Sequence, residues 1–264
     1  MTRRRTGLVA LLTDFGTRDW YVGALKGVIL SRAPAARLVD ITHDVPPQDT
    51  VAGAFTLAAA APWFPAGAVF LAIVDPGVGS QRALLAAQAD AQYFVGPDNG
   101  LLSLVFQRAK RLTIVRLTNQ RHWLTPVSTT FHGRDVLAPT AAYLANGGAL
   151  MTLGVRVAPT AAVPFSAPIR MGRTLHGRIV HIDSFGNLIT NMRIPHAARG
   201  GDAPRVMIRY KRHPARVVSS YSAGRLNELV AVVGSLGFIE LAVREASAAW
   251  QFSAARNDEV TLTS

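Results

Sequence analysis

Short aliphatic runs alternate with amphipathic stretches through the first 150 or so positions, and the order of the two kinds carries the fold. Val9 to Thr13 is apolar at successive positions, as expected of a strand buried on both faces. Trp20 to Ser31 reads as a helix, Arg37 to Ile41 as a strand, Asp49 to Ala61 as a helix and Ala68 to Val74 as a strand. This βαβαβ order predicts an α/β fold, a Rossmann-like domain with a mostly parallel sheet. Further strands are expected over Leu84 to Gln88, Tyr93 to Val95 and Leu112 to Leu117, and helices over Leu101 to Ala109 and Val136 to Asn146. Between Val157 and Arg170, Pro159, Pro164 and Pro168 stand among small residues without helical or strand periodicity. Beyond them the texture changes to short alternating runs: Leu175 to Ile182, Arg205 to Tyr210, Arg216 to Ser220, Leu229 to Val233, Phe238 to Val243 and Glu259 to Leu262. That pattern predicts a smaller, barrel-like all-β domain. The expected division is an α/β domain over 1–160, a linker over 161–170 and a β domain over 171–264.

Composition narrows the class. A chain of 264 residues that is 49% hydrophobic and 17% charged has the material for a packed core and is not a disordered one. The net charge is +12, and Lys26, Lys110 and Lys211 are the only lysines, so the basic chemistry is almost all guanidinium. A basic surface steers anions, but the only tight run is Arg3 to Arg5 at the amino end, where a frayed terminus is expected. Nucleic-acid binders concentrate their charge on one face or in runs, so nucleic acid is not the expected partner. The absence of cysteine excludes disulfides, thiolate metal sites and a cysteine nucleophile. The apolar stretches Gly7 to Leu12, Val51 to Ala61 and Ala66 to Val74 are too short for a signal-peptide core or a membrane span. A cytoplasmic protein away from membranes is the expectation.

In open α/β sheets, ligands bind beyond the carboxyl ends of the strands. Three of these exits are rich in polar residues: Thr13-Asp14-Phe15-Gly16-Thr17-Arg18-Asp19, Thr42-His43-Asp44 and Asp75-Pro76-Gly77-Val78-Gly79-Ser80-Gln81-Arg82. Each alone reads equally as a turn whose Asp caps the next helix; three acidic exits on one edge favour a site. Gly77-Val78-Gly79 meets neither the phosphate-loop nor the dinucleotide-binding spacing. Phe131-His132-Gly133-Arg134-Asp135 sets a histidine in a dense polar turn ahead of a predicted helix, a place for acid–base work. The seven histidines show no close metal-ligand spacing, so no metal is expected. Pro97-Asp98-Asn99-Gly100 reads as a tight turn. In the second domain, Asp183-Ser184-Phe185-Gly186-Asn187 brings together residue types that stack on and hydrogen-bond a purine, or form an ordinary β-turn. Glu240 stands among apolar neighbours in Gly234 to Ala242, where a carboxylate needs a partner if buried.

Taken together, Leu12-Thr13-Asp14-Phe15-Gly16, Val74 to Gly79, Pro97 to Gly100, Phe131 to Asp135 and Asp183 to Asn187 follow the order and approximate spacing of one family. The chain resembles the S-adenosylmethionine hydroxide adenosyltransferases, hydrolase relatives of the fluorinating and chlorinating nucleoside enzymes, from about residue 8 to about residue 250. The resemblance implies that water or hydroxide attacks the 5′ carbon of S-adenosyl-L-methionine and that methionine leaves, giving adenosine. It implies no metal or organic cofactor. It also implies a homotrimer whose sites lie between the first domain of one subunit and the second domain of its neighbour.

Carried over residue by residue, the resemblance puts the catalytic set on Asp75, Arg82 and His132. Because the sulfonium is already a good leaving group, these have chiefly to supply an oriented oxygen nucleophile. Asp75 and His132 are both able to orient water and accept its proton, with Arg82 favouring hydroxide. Asp14 falls on the ribose-binding Asp and Asp19 on the residue for the methionine amine, and Thr130 and Phe131 line the pocket. From the second domain, Asp183 and Asn187 meet the methionine part and the adenine region, Ser235 the methionine carboxylate and Ala248 the base; Glu240 is a further carry-over. The halogenating relatives place Trp at Gln48 and Tyr at Asp75, and the fluorinating one a halide-contacting Ser at Gly133. A bare carboxylate at position 75 would repel a halide about 4 Å away by about 1 to 4 kcal/mol, so water is the expected nucleophile. The competing readings are a halide-dependent 5′-halo-adenosine synthase and a non-catalytic adenosine or S-adenosylmethionine binder.

Overall fold

The computed structural model describes residues 6–158, 161–193 and 207–263. Arg3 to Arg5, Pro159 and the first two positions of the strand expected from Arg205 lie outside the described residues. The chain divides into two compact units, Met1–Pro164 and Phe165–Ser264.

In the first unit the aliphatic runs become β1 (Leu8–Thr13), β2 (Arg37–Thr42), β3 (Val69–Ile73), β4 (Leu84–Ala89), β5 (Gln92–Pro97), β6 (Leu112–Leu117) and β7 (Gly154–Val157), ordered β2-β1-β3-β5-β4-β6-β7 in one sheet. The half made of β2, β1, β3 and β5 is parallel, as βαβ order dictates, while β4, β6 and β7 extend the sheet antiparallel. The helices are α1 (Tyr21–Arg32), α2 (Thr50–Ala60), α3 (Ser103–Arg108) and α4 (Ala138–Ala145). Asp49 starts α2 as its N-cap, accepting the amide hydrogen of Ala52 at 2.9 Å. Helices α1 and α4 pack together over Val9, Leu11, Leu71 and Ile73, and α2 packs with α3. The interior strands carry apolar residues on both faces, the signature of a sheet covered on both sides.

In the second unit, β8 (Ile169–Met171), β9 (Thr174–Ile182), β10 (Leu188–Thr190), β11 (Met207–Tyr210), β12 (His213–Val217), β13 (Leu229–Val233), β14 (Ile239–Val243) and β15 (Glu259–Thr263) form the second sheet. Because β10 pairs with both β14 and β9, seven strands close into a barrel and β8 lies beside the first part of β9. Its interior holds Ile179, Leu188, Ile208, Tyr210, Ile239, Leu241 and Val260. The strand expected over Arg216 to Ser220 instead runs His213–Val217, because Lys211, at φ 53°, reverses the chain earlier. Strands β7, β8 and β10 and the short helix α5 (Ala248–Gln251) had no sequence counterpart: at three or four residues each, they are too short to show a period.

Candidate functional site

Thr13 pairs with Ile73 across the adjacent ends of β1 and β3, so the chain leaves both strands side by side. Asp14 and Asp75 follow from these two neighbouring ends. After β3 the chain turns through Gly77 and Gly79 and returns Arg82 onto Asp75. Arg82 Nε donates to Asp75 Oδ1 at 2.6 Å and its Nη2 donates to Oδ2, a two-point grip on the carboxylate. The two side chains are 9% and 7% exposed, so the pair is largely withdrawn from water.

The third member arrives from a distant loop. Gly79, at φ 82°, lies so close to the carbonyl oxygen of Thr129 that an added Cβ would stand 2.7 Å from it. Only glycine allows that approach, which seats the 75–82 loop against the 129–132 segment. His132 then precedes a π-helical turn, Gly133–Leu137, that runs into α4; such turns recur at functional sites. Its Nδ1 lies 3.3 Å from Arg82 Nη2. Arg has only donors, so Nδ1 is the acceptor and the ring proton of the neutral imidazole sits on Nε2. Burial, then the Arg82 charge, hold the His132 pKa below its ordinary 6.5, with Asp75 and Asp135 pulling the other way. Asp135, buried, accepts from Arg134 Nε at 2.6 Å and from the Ser128 amide at 2.8 Å, anchoring the loop on both sides of His132.

The remaining residues singled out in the first unit divide by role. Asp14 is half-buried, and its Oδ2 accepts the backbone N–H of Gln48 at 2.8 Å, with Gln48 in the left-handed region at φ 64°. Position 48 thus serves Asp14 through its backbone, by way of Oδ2. Asp19 and Thr130 are exposed. The ring of Phe131 is 6% exposed and packs edge-on against Phe15, Trp20 and Tyr21 at 5.9, 5.6 and 5.3 Å. The ring is a wedge beneath the surface aromatics. Asn99 donates to the Val74 carbonyl at 2.7 Å, so Pro97 to Gly100 is a tie between strand ends.

In the second unit, Asp183 Oδ1 accepts from the amides of Phe185 and Asn187 at 3.0 and 2.8 Å, and Oδ2 accepts from Asn187 Nδ2 at 2.9 Å. Ile189 stands opposite Glu240 across β10 and β14, which sets Glu240 close to this turn. Glu240 is buried and Tyr221 donates its phenolic hydrogen to Oε2; Gly234 is opposite, where any Cβ would overlap the carboxyl. Burial raises the Glu240 pKa, Asp183 adds to the rise and Tyr221 opposes it. A cavity of about 700 Å³ is lined by Phe185, Asn187, Tyr221 and Val243 to Ala246. Ser235 is exposed in the turn before β14. Ala248 is 0% exposed, packed in the barrel core at the start of α5. Tyr221 was missed from sequence because it lies in an aperiodic serine-rich stretch, with only its lone aromatic ring as a signal.

The SAM hydroxide adenosyltransferase N-terminal domain matches residues 9–154, and the C-terminal domain of that family matches residues 177–261. The chain is 38% identical over 268 residues to the (R)-S-adenosyl-L-methionine hydrolase of Salinispora tropica, with 98% of each chain covered. It is 27% identical to a fluorinase of Actinoplanes, with 97% of each covered. Among solved structures, an uncharacterised conserved protein of Thermotoga maritima superposes with a TM-score of 0.89 at 31% identity, over 97% of this chain and 100% of that one.

Proposed function

The chain belongs to the SAM hydroxide adenosyltransferase family, and from that premise we propose that it hydrolyses S-adenosyl-L-methionine to adenosine and L-methionine through Asp75, Arg82 and His132. The observation that carries the assignment of residues is Arg82, which holds both Asp75 oxygens while lying 3.3 Å from His132.

The chemistry follows from the three groups. A water beside the cluster donates one hydrogen to the Asp75 carboxylate and accepts from His132 Nε2–H, which aims an oxygen lone pair outward. The fixed Arg82 charge favours hydroxide character as the proton departs. The oxygen forms a bond to C5′, the C5′–S bond breaks with its electron pair going to sulfur, and methionine leaves as a neutral thioether. The water proton passes to Asp75 and on to solvent. Asp14 Oδ1 holds the ribose diol, Asp19 the methionine ammonium, and Asp183, Asn187, Ser235 and Glu240 the groups met by the barrel, with Ala248 packed beneath the base; Thr130 and Phe131 border the pocket.

Discrimination against halide rests on a different cause from the one a bare carboxylate suggests. Asp75 is paired with Arg82, so the pair presents little net charge and the expected 1 to 4 kcal/mol repulsion does not apply in full. Arg82 instead has its Nε and Nη2 donors turned to Asp75 and His132, which leaves those donors engaged when an anion approaches.

The same proposal includes a homotrimer in which a neighbouring copy completes each site. Supporting it are large side chains left in water beside the candidate residues: Trp20 at 60%, Phe185 at 76% and Trp250 at 86% exposure. It also includes a cytoplasmic location, where this methyl donor is made and used. Among the described residues no helix is long and apolar enough to cross a membrane.

The deciding experiment incubates the purified protein with S-adenosylmethionine, with and without chloride, and follows products by chromatography. Equal adenosine and methionine, indifferent to chloride, is the expected result. 5′-Chloroadenosine would make it a halide-using synthase, and ligand recovered bound without turnover would make it a binder.

A further inference from the structure

His43 is buried, and the chemistry above makes no use of it. Its side chain sits between two polar groups. Nδ1 lies 2.9 Å from the hydroxyl of Thr13, a fully buried residue, and Nε2 lies 3.1 Å from Asp40 Oδ1 in an off-axis approach. Lys26 Nζ donates to the other oxygen of Asp40 at 2.7 Å. The carboxylate only accepts, so the neutral imidazole carries its proton on Nε2, toward Asp40. Nδ1 is therefore an acceptor and the Thr13 hydroxyl must donate to it. That leaves the Thr13 oxygen free to accept the backbone N–H of Phe15, which it does at 3.2 Å. The backbone adds a second grip, with the Gly16 amide donating to the His43 carbonyl at 2.8 Å.

These bonds share a target. They fasten residues 13, 15 and 16, and the one residue they bracket is Asp14, whose Oδ2 is separately held by Gln48. We propose that His43, through Thr13, is a positioning residue for Asp14, fixing the turn that aims the free oxygen of that carboxylate at the ribose diol. The assignment of Asp14 to ribose rests on the function proposed above; the fixing of the turn does not. A hydrogen bond to a diol depends on carboxylate placement to within a fraction of an ångström; the ring of Phe15 packs on the core and on Phe131, and the polar bonds fix the backbone of Asp14 beside it.

Thr13→Val keeps the shape and removes the hydroxyl. His43→Asn can set its amide oxygen, an acceptor, where Nδ1 stands, and His43→Gln carries its amide out toward the Nε2 position. The readouts are KM and kcat for S-adenosylmethionine, adenosine affinity, and amide hydrogen exchange across residues 13–17. Thr13→Val and His43→Gln are expected to raise KM and the adenosine Kd at least fivefold with kcat within twofold, and to speed exchange at Phe15 at least tenfold. His43→Asn is expected to stay within twofold of the parent on all counts, and the Thr13→Val/His43→Gln double variant to be no worse than the worse single. Equal losses in His43→Asn and His43→Gln, additive effects in the double variant, or a fall in kcat alone would overturn the proposal. If the parent protein yields no adenosine, the functional reading fails; exchange at Phe15 still decides whether His43 holds the turn. Should His43→Gln not fold, Thr13→Val carries the same test.

Discussion

Arg82 holds both oxygens of Asp75, and with that grip the two side chains form a rigid, nearly neutral unit at the mouth of β3. The unit cannot be dissected by charge alone, because the guanidinium also reaches His132. Arg82→Lys keeps the charge and loses the fork. It should lower kcat by about 10² or more while adenosine affinity stays within about threefold, as measured by steady-state kinetics and calorimetry. Asp75→Ala and His132→Ala should do the same; binding lost in step with activity would instead make these residues part of the pocket wall.

The depressed pKa of His132 sets a pH limit. Burial and Arg82 disfavour the imidazolium, so the ring is neutral at pH 7 and the hydrogen bond it accepts from Arg82 is intact. Acid protonates Nδ1 and breaks that bond, so kcat should be flat from pH 6.5 to 8 and fall on the acid side below 6.5. Arg82→Gln removes the opposing charge, and in its residual activity the acid limb should move to higher pH. A limb that stays in place would mean that another group controls it.

Gly133 faces Ile73 Cδ1 at 3.0 Å and Phe131 Cε2 at 3.4 Å from where a Cβ would stand. Gly133→Ser therefore pushes on the end of β3 and on the aromatic wedge. The expected cost is about 1 to 3 kcal/mol of stability, visible as a lower Tm, with no chloroadenosine formed. A halide product from this single change would show that position 133 alone selects the nucleophile.

Glu240 is buried with its pKa raised, chiefly by burial, and Tyr221 is the donor that offsets part of that rise. Tyr221→Phe leaves the carboxyl without this donor and should destabilise by about 1 to 3 kcal/mol at pH 7. The sign with pH is fixed. A carboxyl whose folded pKa is raised disfavours the folded state as pH climbs through that value, because the unfolded chain ionises first. Removing the donor raises the pKa further, so the Tm deficit of the variant should be small near pH 4 and grow toward pH 7. A deficit independent of pH would assign the loss to packing.

The parallel half of the first sheet was readable because β1 and β3 are continuous apolar runs and α2 begins at an Asp cap. The candidate pair was legible for a related reason: Asp75 and Arg82 share one glycine-bearing loop, and loops at strand exits are where ligands bind. What escaped were relations between distant segments. The charge of Asp75 looked unpaired until Arg82 was seen folded onto it, and nothing local to Glu240 named Tyr221 or the space left by Gly234. Ala248 and Phe131 bear the same lesson, since burial is a property of the neighbours a residue acquires and not of its own type.

The barrel has an assembly order written into its pairing. Strand β9 is bonded to β15 along Thr174 to Arg178, and β15 is bonded in turn to β11, so a strand made after both of them joins the two. Until it emerges from the ribosome, β9 and β11 present unsatisfied backbone edges, the kind that pair with other chains. Each half-made molecule is thus an open sheet until β15 arrives, and β15 acts as its keystone. A chain cut before Glu259 should be lost to aggregation, however sound its first unit.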